Sequence, residues 1–437
     1  MPKRVLIITY YWPPTGGSGV QRWVKFTKYL PDEGWEPVIY TPENPEAITT
    51  DNSLISDIPE GTEIIKTRII EPYNLYRKIT GKTREGKGGA EVNPINSQKK
   101  SPGQQISMWI RGNFFIPDPR CMWISPSVRF LKKYLKEHPV DVIVSTGPPH
   151  SMHLIAEKVA DSTGIPWVAD FRDPWTKMFY FKHLSLCSWA KKRHSQLEKR
   201  VLDKADAVVA VSPLVKEDFE AMTNTPVTLI TNGFDKVDFE SETETDGRFR
   251  ITHTGLFASD GNPEILWEVL ASKCMEDEEF KNNLNIRLAG KTDREILDSI
   301  RLAGLGENLS NLGYKDHKDA VKEQISASVL ILPLRKEPEY KATLPGKLFE
   351  YLASGRPVLG IGQTDGAMAR ILGETKAGFV FDWNDRESVR KYVDFCWKSF
   401  KNGTLKAETD NIEKYSRKSL AHSMACLFNS LTNRHKQ

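Results

Sequence analysis

Short β-branched runs alternate with helix-period segments along most of the chain. Val5-Leu6-Ile7-Ile8-Thr9-Tyr10 is the first run, and beyond a loop rich in Gly and Pro come Val20, Trp23, Val24, Thr27 and Leu30, spaced along one helical face. Val38 to Tyr40, Glu63 to Lys66, Val140 to Ser145, Trp167 to Asp170 and Ala207 to Val211 predict further strands, several followed by helices. The stretch from Phe239 to Gly247 is acidic, polar and without periodicity, and reads as a linker. Beyond it Arg250 to Thr254, Asn285 to Ala289, Val329 to Leu334, Val358 to Ile361 and Phe379 to Phe381 predict a second strand series between helices. A last helix carries Leu420, Met424, Leu427, Phe428 and Leu431 on one stripe, with no strand after it. Alternation of this kind predicts an α/β architecture of mostly parallel sheets covered on both faces.

Length agrees with two such units, because 437 residues exceed the roughly 250–300 at which a single core stops growing. Hydrophobic residues at 39% and charged residues at 27% exclude bulk disorder. The longest apolar stretches, Val5 to Tyr11 and Val329 to Leu334, are far shorter than the ~20 residues of a membrane-spanning helix. Pro13 and Pro14 follow the first apolar run at once, which argues against a signal peptide. With five scattered cysteines and no CxxC spacing, the expectation is a cytoplasmic protein without disulfides or a zinc site. A net charge of +4 is too small on this length to imply nucleic acid.

One segment departs from the alternation. Between Arg77 and Gln105 seven basic side chains face two acidic ones in a Gly-rich context, which predicts a mobile insertion. Directly after it stand Ile106, Met108, Trp109, Ile110, Phe114, Phe115 and Ile116. Two readings are open: a helix buried in the core, or an interfacial segment drawn to anionic headgroups or a lipid-linked acceptor.

Candidate chemistry gathers where strands end. The loop Tyr11-Trp12-Pro13-Pro14-Thr15-Gly16-Gly17-Ser18-Gly19 lets backbone approach a ligand and opens a helix whose free N–H groups can meet an anion. Its spacing is neither G-x-G-x-x-G nor a Walker loop. His150 follows the strand ending near Ser145, either as a hydrogen-bonded structural residue or facing a ligand. Asp170, Arg172 and Asp173 cluster after another strand, as a structural Asp–Arg pair or around a solvated cleft. In the second series a helix opens at about Pro345 and stops at Gly355. Lys347 in its first turn opposes the helix dipole unless an anion is held there, and Glu350 one turn on can accept from two ribose hydroxyls.

Taken together, YWPPTGGSGVQR, DVIVSTGPPHS, ADFRDPW, VSPLVKE, LITNGFD, HTGLF and LPGKLFEYLASGRPVL resemble, in order and spacing over nearly the whole chain, a GT-B fold glycosyltransferase, similar to the family 4 retaining enzymes. The resemblance implies two Rossmann-like domains facing across a cleft: an acceptor-binding domain over 1–238, a nucleotide-sugar-binding domain over 248–410, and a C-terminal helix over 411–437 packing back on the first. It implies that Gly16 and Gly17 lie under the donor phosphates and transferred sugar, that Leu344, Gly346 and Lys347 meet the diphosphate, and that Glu350 takes the ribose. His150, Arg172 and Asp173 become the candidate catalytic residues on the acceptor side, with Arg172 and Asp173 standing where such families often place a histidine.

Two departures bear on the site. Ala342 occupies the position of a first glutamate, with Glu337 or Glu339 as candidate substitutes. The Gly-Arg and Lys pair usual after the linker is missing, since Gly255 is followed by Leu256-Phe257-Ala258; Lys291 or Arg335 can supply that charge. The function so implied is transfer of a sugar from a nucleotide diphosphate to a glycan or lipid-linked acceptor, in surface polysaccharide or glycoconjugate biosynthesis. No cofactor and no metal is expected, because cationic side chains and a helix N-terminus can neutralise the leaving diphosphate. A peripheral contact at the inner face of the membrane is a further expectation. A sugar-nucleotide epimerase of similar architecture and a non-catalytic sugar-nucleotide-binding subunit are the alternatives.

Overall fold

The computed structural model describes residues 2–46, 50–71, 109–240 and 246–434. The expected basic insertion at 77–105, with Ile106 and Met108, lies outside them. The chain divides into two compact units, one formed by Met1–Thr231 with Arg417–Gln437 and the other by Asn232–Ser416.

The first unit holds a parallel sheet of seven strands, β1 (Lys3–Ile8), β2 (Trp35–Pro42), β3 (Glu63–Thr67), β4 (Val142–Gly147), β5 (Trp167–Phe171), β6 (Ala207–Ala210) and β7 (Val227–Leu229), in the order β3-β2-β1-β4-β5-β6-β7. Val5 pairs in register with Val142, and Ile143 with Trp167. Both sheet faces are covered, so inner strands are largely apolar, and Val5 to Ile8 are wholly buried. Helix Ser18–Tyr29 buries Val20, Trp23, Val24 and Phe26, then runs into a turn at Leu30–Glu33 that ends at left-handed Gly34. The C-terminal helix Arg417–Arg434 packs into this same core through Leu420, Met424, Phe428 and Leu431, with Phe428 edge-on to Trp35 at 5.1 Å.

The second unit is a six-stranded parallel sheet, β8 (Phe249–Thr254), β9 (Leu284–Ala289), β10 (Leu309–Gly313), β11 (Val329–Pro333), β12 (Val358–Ile361) and β13 (Gly378–Phe381), in the order β10-β9-β8-β11-β12-β13. Alternate residues serve opposite faces. Ile331, Leu359 and Ile361 join Trp267 and Trp397 on one side, while Leu330, Leu332 and Val358 join Phe349, Tyr351 and Leu372 on the other.

The boundary falls earlier than the polar stretch suggests. Phe234 is buried beside Phe349 and Tyr415, and its N–H donates to the Tyr415 carbonyl (3.1 Å), which ties residues 232–238 to the second unit. Residues 411–416 go with them. Trp109 and Phe114 are 44% and 68% exposed, so the reading of their segment as a buried core helix is corrected for these side chains.

Candidate active site

In a parallel sheet, ligands collect beyond the strand carboxyl ends where the strand order reverses. That point lies between β1 and β4 in the first unit and between β8 and β11 in the second. Most of the candidate residues leave the sheets at these two places.

In the first unit, Trp12 and Pro13 are buried and anchor the glycine loop, and the Thr15 N–H donates to the Trp12 carbonyl (3.1 Å). Gly17, at φ 112°, caps helix Ser18–Tyr29 without a side-chain partner, a backbone state open to glycine. Gly16 is half-buried and Gly17 exposed.

Asp170, at the end of β5, is wholly buried and accepts from Arg22 (2.8 and 3.2 Å), the Trp23 indole (2.8 Å) and Thr146 (2.8 Å). The Arg22 guanidinium also donates to the carbonyls of Thr231 (2.6 Å) and Ile230 (2.9 Å). The cluster therefore does contain a structural Asp–Arg pair, but its arginine is Arg22, and Asp170 has no place on an acceptor surface. Although burial pushes the Asp170 carboxyl upward, the Arg22 charge and these hydrogen bonds hold it below the usual carboxylate range.

Arg172 donates from its backbone to the Gly147 carbonyl (2.9 Å) and from its guanidinium to the Pro148 carbonyl. The guanidinium rests against Gly19, where a Cβ would displace it. Asp173 is half-buried, and burial pushes its carboxyl up to about 6 against the neighbouring Arg172 charge.

His150 is buried, with its ring stacked on Trp175 (4.3 Å between centroids) and no hydrogen-bond partner on either ring nitrogen among the described residues. Burial holds it well below the usual histidine range, so the ring is neutral. His153 joins it, bonded through Nδ1 to Ser145 (2.8 Å) and pushed down by burial to about 3. Both rings approach Gly147, leaving no room there for a side chain. The first-unit candidates His150, Arg172, Gly16 and Gly17 thus converge on the loops after β1, β4 and β5.

In the second unit, helix Gly346–Ala353 opens after Pro345, which offers no side-chain cap. Lys347 turns back over the end of β8, donating to His253 Nε2 (3.1 Å) and to the Leu256 carbonyl (3.2 Å). Burial pulls the Lys347 ammonium down to about 8, opposed by the charge of Glu350. His253 is buried, stacked on Phe257 (4.1 Å), and kept neutral by burial and by Lys347. Glu350 accepts from Gln324 (2.8 Å) and meets the His317 ring (3.4 Å). Gln324 also donates to Thr254 (3.1 Å).

Leu344 and Gly346 are half-buried at the mouth of this helix. Lys291 is exposed in the turn after β9, and its carbonyl accepts from Phe257 (2.9 Å), so it stands beside the Gly255–Leu256 loop. Arg335 is engaged by Asp260 (2.9 Å) and the Tyr340 hydroxyl (2.8 Å), so its charge is already partly answered. Ala342 ends the turn Pro338–Ala342 that leads into the helix. Sequence reasoning assigned no role to His253, Gln324 or His317. His253 was findable, since it ends a strand at the switch point, whereas nothing local marks Gln324 or His317.

The second half of the chain, residues 248–397, matches the family described as Glycosyl transferases group 1, and residues 97–237 match Glycosyltransferase Family 4. The chain belongs with the GT-B glycosyltransferases. Sucrose-phosphate synthase from Thermosynechococcus elongatus superposes with a TM-score of 0.64 at 14% identity, covering 99% of this chain and 100% of that one. Anabaena HepE in complex with UDP-glucose gives 0.56 at 13%, covering 99% of each. A putative UDP-N-acetylglucosamine 2-epimerase from Listeria monocytogenes gives 0.57 at 12%, covering 99% and 98%. At such identities the likeness is one of fold, which glycosyltransferases and epimerases share, and the two family matches decide between them. No curated protein matches the chain in sequence. In this glycosyltransferase the helix opening at Gly346 lies within the group 1 match, and the Arg172 cluster within the family 4 match.

Proposed function

We propose that this glycosyltransferase takes its sugar from a nucleotide diphosphate, gripped in the second unit by the first turn of helix Gly346–Ala353 and Lys347, and passes it to a glycan or lipid-linked acceptor received by the first unit. The carrying observation is Lys347: a partly desolvated ammonium, held by a neutral imidazole and a carbonyl, beside uncapped helix N–H groups. These groups favour negative charge, and charge grows on the diphosphate as its bond to the sugar breaks. Glu350, held by Gln324 and His317, is the ribose acceptor in this reading, and Lys291 supplies charge from the exposed rim. HepE, solved with UDP-glucose, supports the donor class.

In the first unit, His150, Arg172 and Asp173 face the acceptor in this reading, close to the loop that carries Gly16 and Gly17. The reading assigns neutralisation to protein groups, so EDTA is expected to leave transfer unchanged, and loss of transfer on chelation overturns that part. Retention at the anomeric carbon and a place in surface polysaccharide or glycoconjugate synthesis complete it.

The test is incubation with a panel of nucleotide sugars, with and without acceptor glycans, followed by product analysis. Transfer that depends on acceptor, with Lys347→Met reducing nucleoside diphosphate affinity at least about tenfold as one charge-assisted bond is lost, supports the reading. An epimer formed without acceptor, or binding with no turnover on any pair, overturns it.

No described helix is long and apolar enough to cross a membrane. Trp109, Ile110, Phe114 and Trp189 are nonetheless exposed, and Lys132, Lys133, Lys136, Lys191 and Lys192 are exposed on helices of the same unit. Exposed aromatic side chains and lysines are the two kinds of group that an anionic lipid surface takes up. Flotation with anionic liposomes is expected to carry the wild type up and leave a Trp109→Ser/Phe114→Ser variant or a 78–100 deletion behind; equal recovery of all three in the soluble fraction counts against membrane contact.

A further inference from the structure

Buried polar groups are as a rule hydrogen-bonded, and a buried imidazole with no bond on either nitrogen asks for a reason. His150 is such a ring, 4% exposed and without a hydrogen-bond partner among the described residues. What holds it is a face: it lies parallel to the Trp175 indole, with 2° between the planes and 4.3 Å between centroids. Phe171 and His153 flank it at 6.1 and 5.8 Å. Stacking fixes the plane of the ring without engaging either nitrogen, one a donor and the other an acceptor in the neutral form.

The indole is fixed in turn by one face of helix Ser188–Lys204. Its Nε1–H donates to His194 Nδ1 (3.1 Å), and the Trp175 backbone N–H donates to Glu198 (3.0 Å), one turn further along that helix. The Thr176 N–H (3.3 Å) and hydroxyl donate to the same carboxylate. Trp175, His194 and Glu198 are all buried. An indole N–H can only donate, so His194 Nδ1 is the acceptor and the His194 proton sits on Nε2. Burial holds His194 below the usual histidine range, in keeping with that neutral tautomer. A tryptophan placed only to fill space needs one acceptor for its indole; here the backbone on which it stands is clamped as well.

We infer that Trp175, held by His194 and Glu198, is the positioning residue that aims His150 at the acceptor while leaving both imidazole nitrogens to it. What His150 is aimed at rests on the glycosyl-transfer reading above, whereas the indole shelf does not. His194 and Glu198 act through Trp175, and Trp175 acts through His150, so none of the three has to touch the substrate.

The experiment is NMR of the full chain carrying isotope-labelled histidine, following the ring C–H signals of His150, identified by their loss in His150→Gln. Protons held over an indole face are displaced upfield, so these signals report the stack directly. His194→Leu, which keeps volume and removes the acceptor, is expected to abolish most of the displacement. His194→Gln, whose side-chain carbonyl can accept from the indole, is expected to restore it. If His194→Leu does not fold, Glu198→Ala, read in the same way, decides. A displacement unchanged in the folded variant, whatever its melting temperature, overturns the inference, because His194 and Glu198 then serve stability alone. Failure of His194→Gln to restore any of it overturns the role of the indole bond. On any donor–acceptor pair found by the panel above, His194→Leu is expected to lower kcat and leave the KM of the nucleotide sugar unchanged, and a raised KM at unchanged kcat also counts against positioning. Failure of every pair to react fells the transfer reading, while the histidine signals decide the shelf by themselves.

Discussion

At the scale of single residues, Lys347 makes the sharpest demand on experiment. Its ammonium is drawn down to about 8 by burial, so in the free protein it loses its proton within reach of ordinary buffers. An anion bound beside it favours the charged form, so binding takes up a proton and affinity falls as pH rises through about 8, by up to about tenfold per pH unit. Stability of the free protein runs the other way. The unfolded lysine keeps its proton to its ordinary value of 10.5, so between about 8 and that value the unfolded chain binds more protons and the folded state gains on it. Calorimetry of a nucleoside diphosphate from pH 7 to 10, with Lys347→Met as the comparison, checks both signs; a pH-independent affinity in the wild type removes Lys347 from the grip. Glu350→Ala is expected to weaken the same ligand by about 1.5–3 kcal/mol per lost charge-assisted bond, and unchanged affinity removes Glu350 from the ribose. The chemistry of Lys347 was legible in the sequence because a lysine in an uncapped first turn is anomalous by itself. Its hold on His253 was not, since 94 residues separate the two.

At the scale of elements, legibility follows burial. Inner strands such as β1 and β11 stand out as apolar runs because helices cover both sheet faces. The edge strands β7, of three residues, and β10, which carries Ser310 and Asn311 and is half-exposed, left no such run and went unseen. The pairing of helix Ser18–Tyr29 with β5 was equally hidden, because Arg22 and Asp170 are 148 residues apart and only the fold brings them together. That bridge joins the first helix, β4, β5 and the chain leaving β7. Asp170→Asn leaves a buried guanidinium without its counter-charge, an expected loss of about 3–5 kcal/mol, measurable by urea unfolding. Because the native carboxyl sits below its usual 3.8, its contribution is complete above that pH and is lost as pH falls through the native value, so the asparagine variant is also expected to show less acid sensitivity. A variant as stable as wild type at pH 7 denies the bridge its structural role. In the second unit, Gly290 at φ 147° lies so close to the Gly255 carbonyl that any Cβ would collide with it; this constraint ties the ends of β8 and β9 and explains a glycine that the motifs did not.

At the scale of the whole molecule, the chain leaves the first unit after Thr231 and returns to it at Arg417. The two crossings lie side by side, since Phe234 bonds to the Tyr415 carbonyl and bridges to Ser416. Residues 232–416 therefore form a closed insert whose ends already meet. The first unit, by contrast, is incomplete without its last helix, because Leu420, Met424, Phe428 and Leu431 fill the core around Trp23 and Trp35. Burial of such side chains is worth about 1.5–3 kcal/mol each, so four of them approach the whole net stability of a domain, about 5–15 kcal/mol. A fragment of residues 1–231 is accordingly expected to lack a cooperative melt, and joining 417–434 to it through a short Gly-Ser linker is expected to restore one. The fragment 232–416 is expected to melt cooperatively by itself and, because Lys347, His253, Gln324 and Glu350 all lie within it, to bind the nucleoside diphosphate with most of the affinity of the full chain. Circular dichroism melting and calorimetry on the three fragments check this. A cooperative melt of 1–231 alone would show that the returning helix is an accessory, and loss of nucleotide binding by a folded 232–416 would show that the donor grip needs groups from the first unit.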